Sequence, residues 1–235
     1  MEGRVIVLGI DTATPRTSLA IGSDEGVLAS LTVEGRARED VVVPALQRLL
    51  AWVGKGTADL EGIAVGVGPG LFTGLRVGVE TAKTLAQVLD RPLVAVPSLD
   101  VLAHGARYAA TQIVAVIDAR RGEVFHASYR ATPDGVARDD AMTVASPDAL
   151  AEALRGREAL RVGDGALRYR ERLAAAGGGV AFASPVLATP RADDLVEIAA
   201  HRFRSGATDA WADVVPLYLR RTDAEIAWDA RGATA

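Results

Sequence analysis

The chain has 235 residues, of which 49% are hydrophobic and 24% charged, as expected for a globular protein with a substantial buried core. Its formal net charge of -4 argues against a protein whose main surface grips a nucleic-acid backbone, because such a surface needs clustered lysine and arginine. The lack of cysteine excludes disulfides and thiolate chemistry, and the lack of an apolar run near the roughly 20 residues of a membrane helix favours a cytoplasmic location with no membrane contact.

The first half of the chain predicts a three-stranded meander followed by alternating helices and strands. The opening residues lack a basic start and a cleavage site, so they are interpreted as a strand and not as a signal peptide. Apolar runs predict strands at residues 5–10, 18–22, 26–33, 62–67 and 93–96. Helical periodicity predicts helices at residues 39–53 and at about 73–89.

The second half of the chain predicts the same order of elements again. Asp11 and Asp118 each follow an isoleucine at the end of an apolar strand, and Gly26 and Gly135 follow them at comparable distances. Strands are predicted at residues 113–117, 123–130, 142–145, 160–162 and 180–183, and helices at 148–154, 167–176 and 192–205. The repeated order indicates an internal duplication.

Two such lobes side by side predict an α/β, two-lobed actin-like ATPase fold (ASKHA, ribonuclease H-like), with each lobe a mixed sheet flanked by helices. The expected division places the N-terminal lobe at residues 1–102 and the C-terminal lobe at residues 103–213. Residues 214–235 are expected to form a tail that returns to the N-terminal lobe.

Kinases and ATPases of this architecture use an aspartate at the end of the first strand of each lobe to hold nucleotide phosphates and magnesium. Asp11, Thr12 and Asp118 are therefore candidate nucleotide-binding residues. The hairpin after Asp11 is a poor phosphate cradle, because Pro15 has no N–H to offer an anion. Asp11 is more readily interpreted as a turn-forming cap, although a nucleotide or magnesium role stays open.

A glycine-rich loop at residues 66–76 invites a phosphate-binding interpretation, since helix N-termini attract anions. It lacks the Gly-Lys-Ser/Thr of a Walker loop and the spacing of a dinucleotide fingerprint. The favoured interpretation is structural. Gly68 and Gly70 would permit positive φ, Thr73 would cap the following helix, and Gly78 would allow a close approach to its neighbour.

Other arrangements that could support catalysis are missing from the sequence. His104, His126 and His201 are far apart and include no pair at helical i, i+4 spacing, so a helix-borne metal site is not expected. Ser18 and Ser98 lack the surroundings of a nucleophile elbow. The sequence therefore predicts no catalytic residue, no metal and no cofactor held by the chain alone.

The first predicted helix is more hydrophobic than one buried face requires. Apolar residues from Val41 to Val53 fill an arc of roughly 200°, about twice what packing on a sheet needs. The surplus must be covered by the second helix or by another subunit. The second helix has a polar side that could form the rim of such a contact.

Five segments in order along the chain resemble the TsaB (YeaZ) family. They are residues 10–14 (IDTAT), 68–76 (GPGLFTGLR), 96–103 (VPSLDVLA), 117–124 (IDARRGEV) and 216–220 (PLYLR). Together they span nearly the whole chain, and the glycine loop and the second-lobe hairpin are the most specific of them.

The resemblance implies a non-catalytic scaffold in the formation of N6-threonylcarbamoyladenosine (t6A) at position 37 of tRNAs that read ANN codons. It implies pairing with the transferase TsaD, participation of the ATPase TsaE, a possible homodimer through the same surface, and tRNA contact only through TsaD. ATP or ADP could lie at the partner interface. Within this framework the pairing surface is expected to involve the first two helices.

Transferred to this chain, the pairing surface comprises Val42, Leu46, Leu49, Arg76, Val79, Glu80 and Lys83. Many relatives have Arg-Glu-His at the start of the first helix, where this chain has residues 38–40 (RED). Older descriptions class such proteins as glycoproteases. This sequence predicts neither the nucleophile nor the metal site that a protease needs. The alternative from the enzyme class is a small actin-fold ATPase or kinase that uses Asp11 and Asp118.

Overall fold

The computed structural model describes residues 5–35, 39–109, 111–175, 177 and 179–220, which contain two β-sheets flanked by α-helices. The strands are β1 (Val7–Asp11), β2 (Arg16–Ser23), β3 (Gly26–Glu34), β4 (Gly62–Gly66), β5 (Leu93–Val96), β6 (Gln112–Arg120), β7 (Glu123–Thr132), β8 (Gly135–Arg138), β9 (Thr143–Ala145), β10 (Ala159–Val162) and β11 (Val180–Phe182). The α-helices are α1 (Glu39–Trp52), α2 (Phe72–Leu89), α3 (Ser98–His104), α4 (Pro147–Ala153), α5 (Asp164–Arg168), α6 (Arg170–Ala174) and α7 (Ala192–Arg204). None of these helices has both the length and the apolar character needed to cross a bilayer.

The two sheets share one topology, which confirms the predicted duplication and fold class. The first sheet has the order β3-β2-β1-β4-β5 and the second has the order β11-β10-β6-β7-β8. In each, the central strand pairs antiparallel with the next strand of its meander and parallel with a later strand, β4 or β10. A small extra strand, β9, pairs with β7.

Burial explains why the central strands could be predicted from the sequence. All five residues of β1 are buried, as are seven consecutive residues of β6. Strands covered by helices on both faces carry continuous apolar runs instead of an alternating pattern. The strands β1 and β6 therefore place Asp11 and Asp118 at equivalent ends of the two sheets.

The structure differs from the sequence prediction at three short elements. The helix α3 was missed, because seven residues show too little periodicity to identify a helix. The third strand of the second meander is β8, not the predicted strand at residues 142–145, which is the separate strand β9. The predicted helix at residues 167–176 is two helices, α5 and α6, separated at Tyr169, whose φ of -106° and ψ of 26° depart from helical values.

Two helices pack across the predicted boundary between the lobes. The division between residues 102 and 103 cuts α3, which packs on the core of the second sheet. The helix α7 lies within residues 103–213, which the sequence assigns to the C-terminal lobe. It packs on the first sheet through Leu195 and Val196. The described part of the predicted tail, residues 214–220, contacts the first lobe, where the Leu217 N–H donates to the Val67 carbonyl over 2.7 Å. Residues 221–235 lie outside the described residues.

Candidate functional site

The first-lobe aspartate is enclosed by its own chain. Asp11 is the last residue of β1 and is buried. The Ala13 N–H donates to its Oδ1 over 3.0 Å, and the Ser98 hydroxyl donates to its Oδ2 over 2.9 Å. Since Ser98 begins α3, the carboxylate links the first hairpin to the helix that crosses to the other lobe.

Three glycines let the loop and helix after β4 approach this hairpin. An ideal Cβ at Gly66 would lie 1.9 Å from Oδ2 of Asp11, and one at Gly70 would lie 2.3 Å from the Ala13 carbonyl oxygen. A Cβ at Gly78, within α2, would lie 2.2 Å from Oγ1 of Thr12. Contacts this short are sterically forbidden, so each position requires glycine. The predicted close approach at Gly78 is confirmed, and the neighbour that α2 approaches there is the first hairpin.

Other details of the glycine loop correct the sequence prediction. Gly68 has a φ of 103°, as expected, whereas Gly70 does not adopt positive φ. The N-cap position of α2 is Leu71, and no side chain caps the helix, so Thr73 lacks the predicted role. The Leu71 N–H instead donates to the Ala13 carbonyl over 2.7 Å, which fixes the start of α2 against the first hairpin.

The electrostatics of Asp11 are determined by its burial and by its two hydrogen bonds. Burial raises the pKa of Asp11 to about 6, against the opposing effect of the hydrogen bonds from Ala13 and Ser98. Thr12 is also buried, and its hydroxyl donates to the Gly74 carbonyl over 2.7 Å. Both candidate nucleotide-binding groups of this lobe therefore have hydrogen-bond partners within the chain.

The second-lobe aspartate is buried as well, but arginines surround it. Oδ1 of Asp118 accepts a bond from the Arg120 N–H over 3.0 Å, and Oδ2 accepts one from Arg120 Nη1 over 3.1 Å. Arg168 Nη1 lies 3.6 Å from the same Oδ2. The Asp118 N–H donates to Oδ1 of Asp164 over 2.9 Å, and burial raises the pKa of Asp164. The Asp164 carboxylate thereby joins the second-lobe hairpin to the start of α5.

Sequence reasoning missed two members of these clusters, Ser98 and Asp164. The sequence around Ser98 suggests only a test for a nucleophile, and Asp164 lies in no recognisable motif. Each begins a helix directly after a strand of the sheet, a placement that becomes meaningful only once strand order is known. Within the described part of the chain, no three histidine, cysteine, aspartate or glutamate side chains converge as a metal-binding group.

Four of the seven predicted pairing residues are not available at the surface. Val42, Leu46, Leu49 and Val79 are 1%, 3%, 0% and 0% exposed, and all belong to the first-lobe core. The physical reason is that α1 packs on both the sheet and α2, so most of its wide apolar arc is covered by its own chain. Arg76 and Glu80 are exposed and Lys83 is half-buried.

The outward sides of these two helices still present a mixed surface. Val43 on α1 and Phe72 on α2 are 49% and 43% exposed. The Arg76 guanidinium carbon lies 5.4 Å from the centroid of the Phe72 ring, within cation–π distance. The outward residues Val43, Phe72, Arg76, Glu80 and Lys83 are referred to below as the α1–α2 face.

Comparisons with known proteins agree with the resemblance found from the motifs. Residues 32–228 match the protein-family model described as "TsaD: tRNA N6-adenosine threonylcarbamoyltransferase". The chain is 34% identical to "tRNA threonylcarbamoyladenosine biosynthesis protein TsaB" of Escherichia coli K12, over 94% of this chain and 96% of that protein. The resemblance to the TsaB family is therefore confirmed.

Solved structures support the same grouping and the fold. "YeaZ from Pseudomonas aeruginosa" is 29% identical and superposes with a TM-score of 0.80, covering 92% of this chain and 100% of that one. An inorganic polyphosphate/ATP-glucomannokinase from Arthrobacter is 12% identical, with a TM-score of 0.51 over 84% of this chain and 98% of its own. The second similarity concerns the fold alone.

Proposed function

Since the chain belongs to the TsaB family, we propose that it is a cytoplasmic, non-catalytic scaffold subunit required for t6A formation at position 37 of tRNAs that read ANN codons. The observation that carries the proposal is the 34% identity to a named TsaB protein over nearly the full length of both chains.

The non-catalytic part of the proposal is supported by the two buried aspartates. Asp11 accepts hydrogen bonds from Ala13 and Ser98, and Asp118 accepts one from the Arg120 guanidinium, so magnesium coordination by either carboxylate would have to compete with these contacts. The matching family model is named for the transferase, and that name alone does not distinguish an enzyme from a paralogous partner.

These bonds count against the alternative of a small ATPase or kinase that uses Asp11 and Asp118. Isothermal titration calorimetry of the isolated chain with ATP and magnesium separates the two functions. The scaffold predicts no tight binding and no turnover by the chain alone. Tight binding with hydrolysis, lost on substitution of either aspartate, would favour the enzyme.

The proposed partner is TsaD, docked on the α1–α2 face. This face combines exposed apolar groups with charged ones, as protein interfaces with a polar rim do. TsaE is proposed to join the complex, and the same face could pair two copies of this chain when TsaD is absent. The net charge of -4 suits a subunit that contacts tRNA only through TsaD, and any ATP or ADP would bind where the subunits meet.

The docking proposal is tested with outward substitutions, because a charge placed at the buried Leu46 would unfold the first lobe. Val43→Glu and Arg76→Glu should each prevent the chain from co-eluting with TsaD on a sizing column. Val186, which is 67% exposed in the short 3-10 helix Pro185–Leu187, supplies the matched control Val186→Glu. Co-elution of all three variants with TsaD would exclude the α1–α2 face as the docking surface.

A further inference from the structure

The last described segment, residues 214–220, lies against the glycine loop and is referred to as the strap. Val214 is buried in the first-lobe core, and the Leu217 N–H donates to the Val67 carbonyl over 2.7 Å. An ideal Cβ at Gly68 would lie 3.0 Å from the Leu217 carbonyl oxygen. The strap is thus fixed at its start beside the loop that leads into α2.

The next residue of the strap adds an aromatic ring to the α1–α2 face. The rings of Tyr218 and Phe72 are stacked, with centroids 5.1 Å apart and an interplanar angle of 30°. Both rings stay exposed, at 42% and 43%. Because Arg76 lies over Phe72, the stacked pair and the guanidinium form one continuous surface.

The end of the strap is attached to the other lobe. Leu219 packs against the second-lobe core. Arg220 Nη1 donates to Oε2 of Glu123 over 2.9 Å, and Glu123 is the first residue of β7 after the second-lobe hairpin. Within three residues, the strap therefore passes from a ring on the first lobe to an ion pair on the second.

We propose that Tyr218 belongs to the docking surface and that Glu123 and Arg220 are positioning residues that hold its ring against Phe72. The second-lobe hairpin then helps to shape a surface built mainly on the first lobe. This inference rests on the proposed docking of TsaD at the α1–α2 face. The matching patch on TsaD would be an apolar hollow for the stacked rings, with a carboxylate facing Arg76.

The role of the Glu123–Arg220 ion pair is tested by two measurements, which are hydrogen exchange of the isolated chain and the affinity of the chain for TsaD. Glu123→Gln and Arg220→Gln should each speed exchange in the strap and weaken TsaD binding by about two- to fivefold. The double variant Glu123→Arg/Arg220→Glu should restore both. Glu152→Gln removes an exposed ion pair with Arg155 on the second lobe, and as a matched control it should change neither.

The ring is tested by Tyr218→Ala, which should weaken TsaD binding about tenfold, and by Tyr218→Phe, which should not. If Arg76→Glu weakens binding and Tyr218→Ala does not, docking at the face stands and this inference fails. If neither weakens binding, both proposals fail. Unchanged strap exchange in the Glu123 and Arg220 variants, or no restoration by the reversed pair, would overturn the positioning role.

Discussion

The two lobes place an aspartate at the same point of the fold and surround it differently. Among the described residues, Asp11 accepts hydrogen bonds from neutral donors, the Ala13 N–H and the Ser98 hydroxyl, and it lies beneath a glycine position that has no space for a side-chain carbon. Asp118 accepts from Arg120 and lies near Arg168. The duplication kept the position of the carboxylate in each lobe but not its chemical environment.

This difference determines how each carboxylate affects the stability of the fold. A buried carboxylate with neutral partners stays costly to ionise, which is why the pKa of Asp11 is raised to about 6. A guanidinium beside the carboxylate offsets that cost. We therefore expect the stability of the first-lobe cluster to depend on its packing and on the protonation of Asp11.

The largest expected effect comes from adding a side-chain carbon at Gly66, which lies directly against Asp11. Gly66→Ala puts a methyl group on Oδ2 of Asp11 and should destabilise the protein by about 3 kcal/mol in urea denaturation. In the second-lobe hairpin, Gly122 has a φ of 79° and open space around it, so Gly122→Ala should cost only about 1 kcal/mol of backbone strain.

Gly35→Ala, at an open position without positive φ, is the control and should change stability little. Equal losses for Gly66→Ala and Gly122→Ala would show that the two hairpins are packed alike, contrary to the comparison.

The second prediction compares the hydroxyl groups beside the two carboxylates. Ser98→Ala removes a buried donor 2.9 Å from Asp11 and should cost about 2 kcal/mol. Tyr169→Phe removes a hydroxyl 3.5 Å from Oδ1 of Asp118, a long contact, and should cost about 0.5 kcal/mol or less. Thermal unfolding of both variants measures the difference, and a larger loss for Tyr169→Phe would reverse the assignment.

The smallest expected effect is a change in pH dependence. Because the folded-state pKa of Asp11 lies above its value of 3.8 in an unfolded chain, the folded protein binds the extra proton between these values. Protonation of Asp11 should therefore stabilise the fold as the pH falls through 6. Between pH 7 and pH 5 this gain should be about 1 kcal/mol, and Asp11→Asn should remove it.

Asp194, whose pKa is also raised to about 6 by burial, supplies a similar gain in both proteins, so the wild type and the variant must be compared. Identical changes in the free energy of unfolding between pH 7 and pH 5 would contradict the environment described for Asp11.

Much of the fold could be predicted because its central strands are continuous apolar runs bounded by turns. The short helix α3 and the break at Tyr169 could not, since few residues carry those signals. A helical wheel of α1 revealed its wide apolar arc, but an arc does not say what covers it. The covering elements are the sheet and α2, which is why Leu46 and Leu49 are core residues.

Only part of the candidate site could be predicted from the sequence, for a similar reason. Asp11 and Asp118 stand out at the ends of apolar strands. The partner of Asp11, Ser98, lies 87 positions away along the chain, and only the parallel order of β1, β4 and β5 brings the two together. One sequence without strand order contains no local signal for such a pair.

The most direct test of the proposed scaffold role is reconstituted t6A formation with purified partners and tRNA. We predict that Asp11→Asn/Asp118→Asn, checked for folding, supports modification at the wild-type rate, whereas Arg76→Glu does not. Loss of modification by the double asparagine variant, while it still folds and binds TsaD, would contradict a non-catalytic role for this chain.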